Sequence, residues 1–358
     1  MTQPDVKTSG ERAALQSMLF GYFPPQVLHV AVRLELAEHL ADGPRSAAWL
    51  AQVTGCEPGT LTRLLRALIV IGVLEQRDPG AFALTERGQL LRTGHPASMR
   101  NYVLLFCGEQ VWQSWGDLEY SIRTGQSAWE RRYGPPFGPG FMTPEFSAVF
   151  NAAMAEGTKV AAPAVIAAGE FGRFGTVADV GGGRGTLLAA IAAAHPGLHG
   201  IVFDLPRALE GAADVLHAAG VADRCEQQPG DFFAGVPGGA DAYLLKSVIH
   251  DWDDARAGVI LANCRAAMSP TATLMLIEPV TSDQPGRQAP FSVSYSDLNM
   301  LVCTSGRERT EDEFGGLLTA AGFAVGRIAP CPPTGYSIIE SVPVQGPRRS
   351  NVPGTVPA

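Results

Sequence analysis

From Thr176 onward the chain alternates short apolar runs with helical stretches of about 10 to 15 residues. The order is "TVADV", "TLLAAIAAAH", "GIVFD", "RALEGAADVLHAAG", "AYLLKSV", "ARAGVILANCRAAM" and "ATLMLIEPV". A strand followed by a helix and a further strand can bury both apolar faces only as βαβ units, so this half is expected to be an α/β, doubly wound parallel sheet. With 358 residues and 46% hydrophobic composition, the chain has material for that core and for a second domain.

The part before Thr176 follows another rule. "PQVLHVAVRLELAEHL" spaces Val27, Val30, Leu34 and Leu40 as an amphipathic helix over 26–40. Two short helices then flank a Gly-Cys-Glu-Pro turn, the second carrying Leu61, Leu64, Leu65 and Leu68 on one face, and a strand pair surrounds "DPGAF". That succession is a mainly α winged helix-turn-helix, expected over residues 13–96. Its second helix offers only Arg63 and Arg66 as cations, so packing and dimerisation explain it better than DNA binding. A winged-helix regulator that senses a nucleoside would need a basic recognition face, which 58–74 lacks. Residues 97–170 are expected to be a helical linker dense in aromatics, with "RRYGPPFGPGFMTPEF" an irregular loop fit for a pocket wall. The catalytic half is set at 171–343, and the Pro- and Gly-rich ends, 1–12 and 344–358, are expected to lack order.

Composition narrows the partners. A formal charge of −8 with no basic tract disfavours nucleic acid. No run approaches the length of a membrane span, and the amino terminus has no apolar signal core, so no membrane partner and a cytoplasmic location are expected. Six scattered cysteines form no C-x-x-C pair and predict neither disulfides nor a metal site. A small-molecule substrate remains.

The first strand runs into "DVGGGRGTLL", where Gly181, Gly183 and Gly185 allow a tight turn and close approach to a ligand at a helix amino terminus. A nicotinamide fingerprint needs Gly at i, i+2 and i+5, but the last position falls on Thr186 or Leu188. A G-x-G-x-G turn preceded by Asp179 instead suits a ligand with an amine and a carboxylate, such as the methionine part of S-adenosylmethionine. Asp204 in "IVFDLP" ends the second strand, where a carboxylate can accept ribose hydroxyls. Asp231 and Phe232 in "PGDFF" end the third, suited to an adenine amine and ring. A helix cap for Asp204 and a core role for Phe232 are the plainer alternatives. Three ligand-type strand tips on one sheet edge favour a nucleoside site.

His250, in "YLLKSVIHDWDD", follows the fourth strand on that edge, and the next strand brings Glu278 where apolar continuation is expected. Glu308 lies just before the helix opening at Thr310; its plain reading is a solvated first-turn acid. For a phenolic acceptor, proton transfer to imidazole is uphill by roughly 3.5 pKa units. A carboxylate on the second ring nitrogen reduces that cost and selects the tautomer. Asp253 is a helix-cap candidate, and Trp252 a wall against the cofactor.

Together, "DVGGGRG", "FDLP", "GDFF", "LLKSVIHDWDD" and "GRERTEDEF" resemble the caffeic acid type of S-adenosylmethionine-dependent O-methyltransferases, in particular the bacterial natural-product branch, over about residues 15–342. The resemblance implies a Rossmann-like methyltransferase domain behind the winged-helix dimerisation domain, a homodimer, and S-adenosylmethionine converted to S-adenosylhomocysteine without a metal. It implies His250 as general base between Glu278 and Glu308. The cofactor would lie among Asp179, Gly181, Gly183, Gly185, Asp204, Leu205, Gly230, Asp231, Phe232, Phe233, Lys246, Ser247 and Trp252. An aromatic acceptor would meet Phe141, Met142, Phe150, Met154, His250, Asp251, Asn299, Met300 and Cys303, with Asp297 a further candidate in "SYSDLNMLV". The branch also holds members turned to hydroxylation, decarboxylation or cyclisation, which is the alternative reading.

Overall fold

A computed structural model describes residues 6–78, 80–135, 137, 143–282 and 291–344. The chain divides into two compact units, residues 1–117 with 139–160 and residues 118–138 with 161–358. The division falls inside the segment 97–170 that the sequence treats as one piece. The helix Pro144–Gly169 supplies its first part to one unit and its last to the other.

In the first unit the helices Ala47–Thr54 and Pro58–Val70 form the helix-turn-helix. Ser46 caps the first by accepting from Trp49 N, and Glu57 caps the second by accepting from Gly59 and Thr60 N. The wing is β1 (Arg45–Ser46), β2 (Leu74–Asp78) and β3 (Ala81–Leu84), ordered β1-β3-β2. Leu50, Leu61, Leu65, Leu68 and Phe82 share one buried core. The expected helix over 26–40 is broken: Phe23–Arg33 and Leu36–His39 are separated by Glu35 at φ 53°. The break lets Ala31 and Val32 on one side and Leu36, Ala37 and Leu40 on the other reach the same core, which a straight helix would not do. The amino terminus also departs from expectation. A helix, Val6–Leu19, begins inside the stretch 1–12, because the helix-forming run from Glu11 to Leu19 extends toward it. Residues 1–5 and 345–358 lie outside the described residues.

The second unit is built on β4 (Thr176–Val180), β5 (His199–Asp204), β6 (Cys225–Pro229), β7 (Ala242–Lys246), β8 (Thr273–Thr281), β9 (Arg309–Thr310), β10 (Phe323–Pro330) and β11 (Tyr336–Pro343). The order β6-β5-β4-β7-β8 is parallel throughout. Strands buried on both faces read as continuous apolar runs, and β7 shows why. Ala242 and Leu244 face one core cluster, while Tyr243 and Leu245 face the other. The sheet is nevertheless mixed, because β11 and β10 extend it antiparallel beyond β8. The reversal of strand order beside β4 opens a crevice at the carboxyl edge, where ligands of such sheets bind.

Candidate active site

The Gly-rich turn leaves β4 and hooks onto the neighbouring strand, with Gly181 N donating to Phe203 O at 2.8 Å. Gly181, Gly183 and Gly185 all have positive φ, at 74°, 55° and 70°. A Cβ at Gly183 would meet nothing within 4 Å, so the turn leaves open room on that side. Gly183→Ala is therefore expected to lower stability by only about 1 kcal/mol, the strain of a left-handed alanine, while weakening cofactor binding by roughly ten-fold or more. Calorimetric titration beside a thermal melt checks both; unchanged affinity would mean the turn does not cradle the ligand.

Around the turn stand ionisable groups in unusual states. Asp179 is 2% exposed and its Oδ2 has no hydrogen-bond partner among the described residues. Burial, and then Asp204, push its pKa up to about 7 against the pull of Lys246. Asp204 does not cap a helix. Its Oδ2 accepts from Gly183 N at 2.8 Å and its Oδ1 from Leu205 N at 2.7 Å, and each oxygen keeps a second acceptor direction. Burial raises its pKa despite those donors.

Gly230 follows β6, its N–H donating to Asp204 O at 3.0 Å. Asp231 is exposed and turns Oδ1 onto Phe233 N at 2.8 Å. Phe232, Phe233 and Trp252 form edge-on contacts, with Phe233 and Trp252 centroids 4.8 Å apart, and Phe137 joins Trp252 at 5.4 Å. Asn263, which the sequence does not single out, holds the carbonyls of Phe232 and Phe233 at 2.8 and 3.0 Å.

On β7, Lys246 Nζ lies 4.6 Å from the centre of the Tyr336 ring and 3.3 Å from its hydroxyl. Ser247 adopts φ 53° and its Oγ is 2.9 Å from the same hydroxyl. Half-buried on the sheet, Tyr336 is desolvated, yet Lys246 holds its pKa below the usual phenol value. Tyr336 comes from the antiparallel extension and could not be placed here from local sequence.

The left-handed Ser247 turns the chain so that Val248 and Ile249 N both donate to Glu278 Oε1, at 3.0 and 2.8 Å. His250 follows in the 3-10 turn Ile249–Asp251 and is 8% exposed. Its Nδ1 is 3.0 Å from Glu308 Oε1 and 3.7 Å from Glu278 Oε2, and its Nε2 is 3.9 Å from Asp251 Oδ1. Burial disfavours the imidazolium, yet Glu278 and Glu308 outweigh it and hold the pKa of His250 well above the ordinary value. Burial also raises Glu278, and brings Asp251 to about 7. Glu308 is not a solvated first-turn acid: it is 3% exposed and precedes the cap Thr310, which forms a capping box with Glu313.

The segment 305–309 grips the His250 turn. A Cβ on Gly306 would stand 2.0 Å from His250 O, so only glycine permits this approach, and Arg307 N donates to that carbonyl at 2.9 Å. Arg309 has no exposed surface. It donates to Ile249 O at 3.1 Å, Trp252 O at 2.8 Å and Asp254 Oδ1 at 2.7 Å. Asp253 caps the next helix by accepting from Arg256 N at 2.8 Å.

The acceptor candidates are less gathered. Cys303 and Met300 are buried on the helix Phe291–Cys303, with Cys303 Sγ 3.5 Å from Asn299 Oδ1. Burial, with Asp251 nearby, raises the Cys303 thiol to about 12. Asp297 accepts from Glu308 N at 2.9 Å, a bond that makes it part of the support for Glu308. Phe150 and Met154 belong to the other unit, half-buried, Phe150 stacked on Phe146 at 6.2 Å. Phe141 and Met142 lie outside the described residues.

Residues 115–324 match the profile of an O-methyltransferase domain, and residues 16–94 that of an O-methyltransferase dimerisation domain. The chain is 41% identical over 331 residues to a phenazine O-methyltransferase of Lysobacter antibioticus, covering 92% of this chain and 96% of that protein. It is 35% identical over 331 residues to aclacinomycin 10-hydroxylase of Streptomyces purpurascens, covering 90% and 87%. Among solved structures, an O-methyltransferase from neocarzinostatin biosynthesis, in complex with S-adenosylmethionine and 2-hydroxy-5-methyl naphthoic acid, superposes with a TM-score of 0.75. It is 34% identical, covering 90% of this chain and 96% of that one.

Proposed function

The chain belongs to the O-methyltransferase family, and from that premise we propose that it moves a methyl group from S-adenosylmethionine to an aromatic hydroxyl. The observation that carries the reading is the buried imidazole of His250, bonded at Nδ1 to Glu308, near the sheet edge that bears the Gly-rich turn. Two carboxylates buried against one ring raise its basicity, which suits a group that takes a proton.

The residues present fit the cofactor. The orphaned Oδ2 of Asp179 and the open side of Gly183 are what an ammonium and a close-lying ligand need. Asp179 and Lys246 would hold the amino-acid end, Asp204 and Leu205 the ribose, and Asp231 with Phe232, Phe233 and Trp252 the adenine. When bound, the cofactor supplies an electrophilic methyl that needs no metal. The protein's work is then to orient the acceptor oxygen, exclude water and take the proton. Glu308 accepts Nδ1–H and leaves the Nε2 lone pair toward the acceptor. Glu278, pinned by two backbone N–H groups, adds negative charge that stabilises the imidazolium as it forms.

The protein acts as a homodimer through residues 16–94, a reading supported by the matched dimerisation domain and by the exposure of Met18, Leu19, Phe20, Tyr22 and Phe23.

Mass spectrometry of the protein incubated with S-adenosylmethionine and a panel of phenols and aromatic polyketides tests the chemistry. A product heavier by one methylene, formed with S-adenosylhomocysteine, is expected. An oxygenated or decarboxylated product without S-adenosylhomocysteine would replace this reading by one closer to the related hydroxylase.

A further inference from the structure

We propose that Ser296 is a positioning residue for the base, fixing through Glu308 the orientation of His250 and the strength with which its imidazole proton is drawn. The inference rests on His250 taking the acceptor proton, as above. Ser296 Oγ is 2.6 Å from Glu308 Oε1, the same oxygen that His250 Nδ1 approaches at 3.0 Å. The other oxygen, Oε2, is buried without a hydrogen-bond partner among the described residues. Both donors therefore converge on one oxygen while its twin has none, and the short separation marks a charge-assisted bond.

The helix supports Glu308 from two consecutive positions. Ser296 meets its side chain, and Asp297 Oδ1 accepts from its backbone N–H at 2.9 Å. A hydroxyl on a helix commonly bonds back to the carbonyl four residues earlier, as Ser114 does to Gln110 O and Thr124 to Tyr120 O, both at 2.8 Å. Ser296 instead reaches across to the carboxylate. Glu278 from β8, Asp251 from the His250 turn and, further off, Tyr336 from β11 also act on the imidazole. Ser296 brings a neutral donor to this acidic cluster. An O–H bond to a carboxylate spreads and stabilises its charge. Without it Glu308 pulls harder on Nδ1–H, and the imidazolium persists to higher pH.

The test uses the full chain with 13C-labelled histidine, as wild type, Ser296→Ala and Ser296→Thr, with the His250 signal assigned by its loss in His250→Asn. In Ser296→Ala the His250 titration midpoint and the acid limb of kcat/KM are expected to rise together by roughly half to one pH unit. Turnover at pH 7 falls roughly three- to ten-fold, with KM for the acceptor within about two-fold. Ser296→Thr keeps the hydroxyl and restores both midpoints. An alanine variant whose His250 titrates at the wild-type midpoint overturns the proposal, whatever its turnover. A shifted midpoint in a protein that methylates nothing would sustain the link from Ser296 to His250 and remove the methyl-transfer reading.

Discussion

His250→Ala is expected to lower turnover by roughly 10² to 10⁴, the range for loss of a general base, and to leave cofactor affinity within a few-fold. The separation of the two effects follows from geometry. His250 bonds to Glu308 and is flanked by Glu278 and Asp251, whereas Asp204 and the Gly-rich turn, proposed cofactor contacts, form their own set of bonds. The wild type should also lose kcat/KM as pH falls, with the acid limb above the ordinary imidazole value of about 6.5. The sign follows from the carboxylates. They favour the imidazolium, so the neutral base becomes available only at higher pH, while its greater basicity narrows the gap to a phenol. In His250→Ala that limb should vanish with the activity. Pre-steady-state methyl transfer and calorimetric titration measure the two quantities separately. Turnover that survives at the wild-type level would place the base elsewhere.

Arg309→Met is expected to cost about 3–4 kcal/mol and lower the melting temperature by about 5–10 °C. The side chain is wholly buried, and its removal strands the carbonyls of Ile249 and Trp252. These carbonyls bracket His250, the proposed base, so turnover should fall more than ten-fold even at temperatures where the protein stays folded. Arg309→Lys keeps the charge but not the planar fork, and should lie between the two. Thermal melts with turnover at 15 °C below each midpoint decide it. A melting temperature within about 1 °C of wild type would show that the turn holds itself.

The strand tips were legible because the features that announce them are local. A polar residue set near the end of an apolar strand, as Asp179 and Glu278 are, or closing it, as Asp204 does, stands at a defined place on a parallel sheet, and the βαβ order fixes the shared edge. His250 and Glu278 could be named for the same reason, whereas the place of Glu308 beside them came from family likeness. What local pattern could not supply was contact between distant segments. Ser296, Arg309 and Tyr336 are unremarkable in their own stretches. They matter through partners in other elements, 12 residues away for the Ser296 bond, 57 for Arg309 to Trp252 and 90 for Tyr336 to Lys246. Strand β10 was hidden for another reason: Gly326 and a register shift between Val325 and Arg327 interrupt the alternation that would reveal it. The break at Glu35 was invisible because a continuous helical period runs across it, and only the shared core makes the bend worthwhile.

The span between His250 and Glu308 has a meaning for how the protein is made. The strands β4 to β7 and the turn bearing His250 leave the ribosome first, and Glu308 comes 58 residues later. At synthesis rates of roughly 5–20 residues per second that is a delay of about 3–12 s. Until β9 pairs with β8 at Val280 and Arg309, the nascent chain carries an imidazole with Glu278 but without the acid that orients it. The support that Glu308 gives His250, the proposed base, is therefore assembled late in translation, and a chain ending before Glu308 would retain the glycine turn while lacking that support.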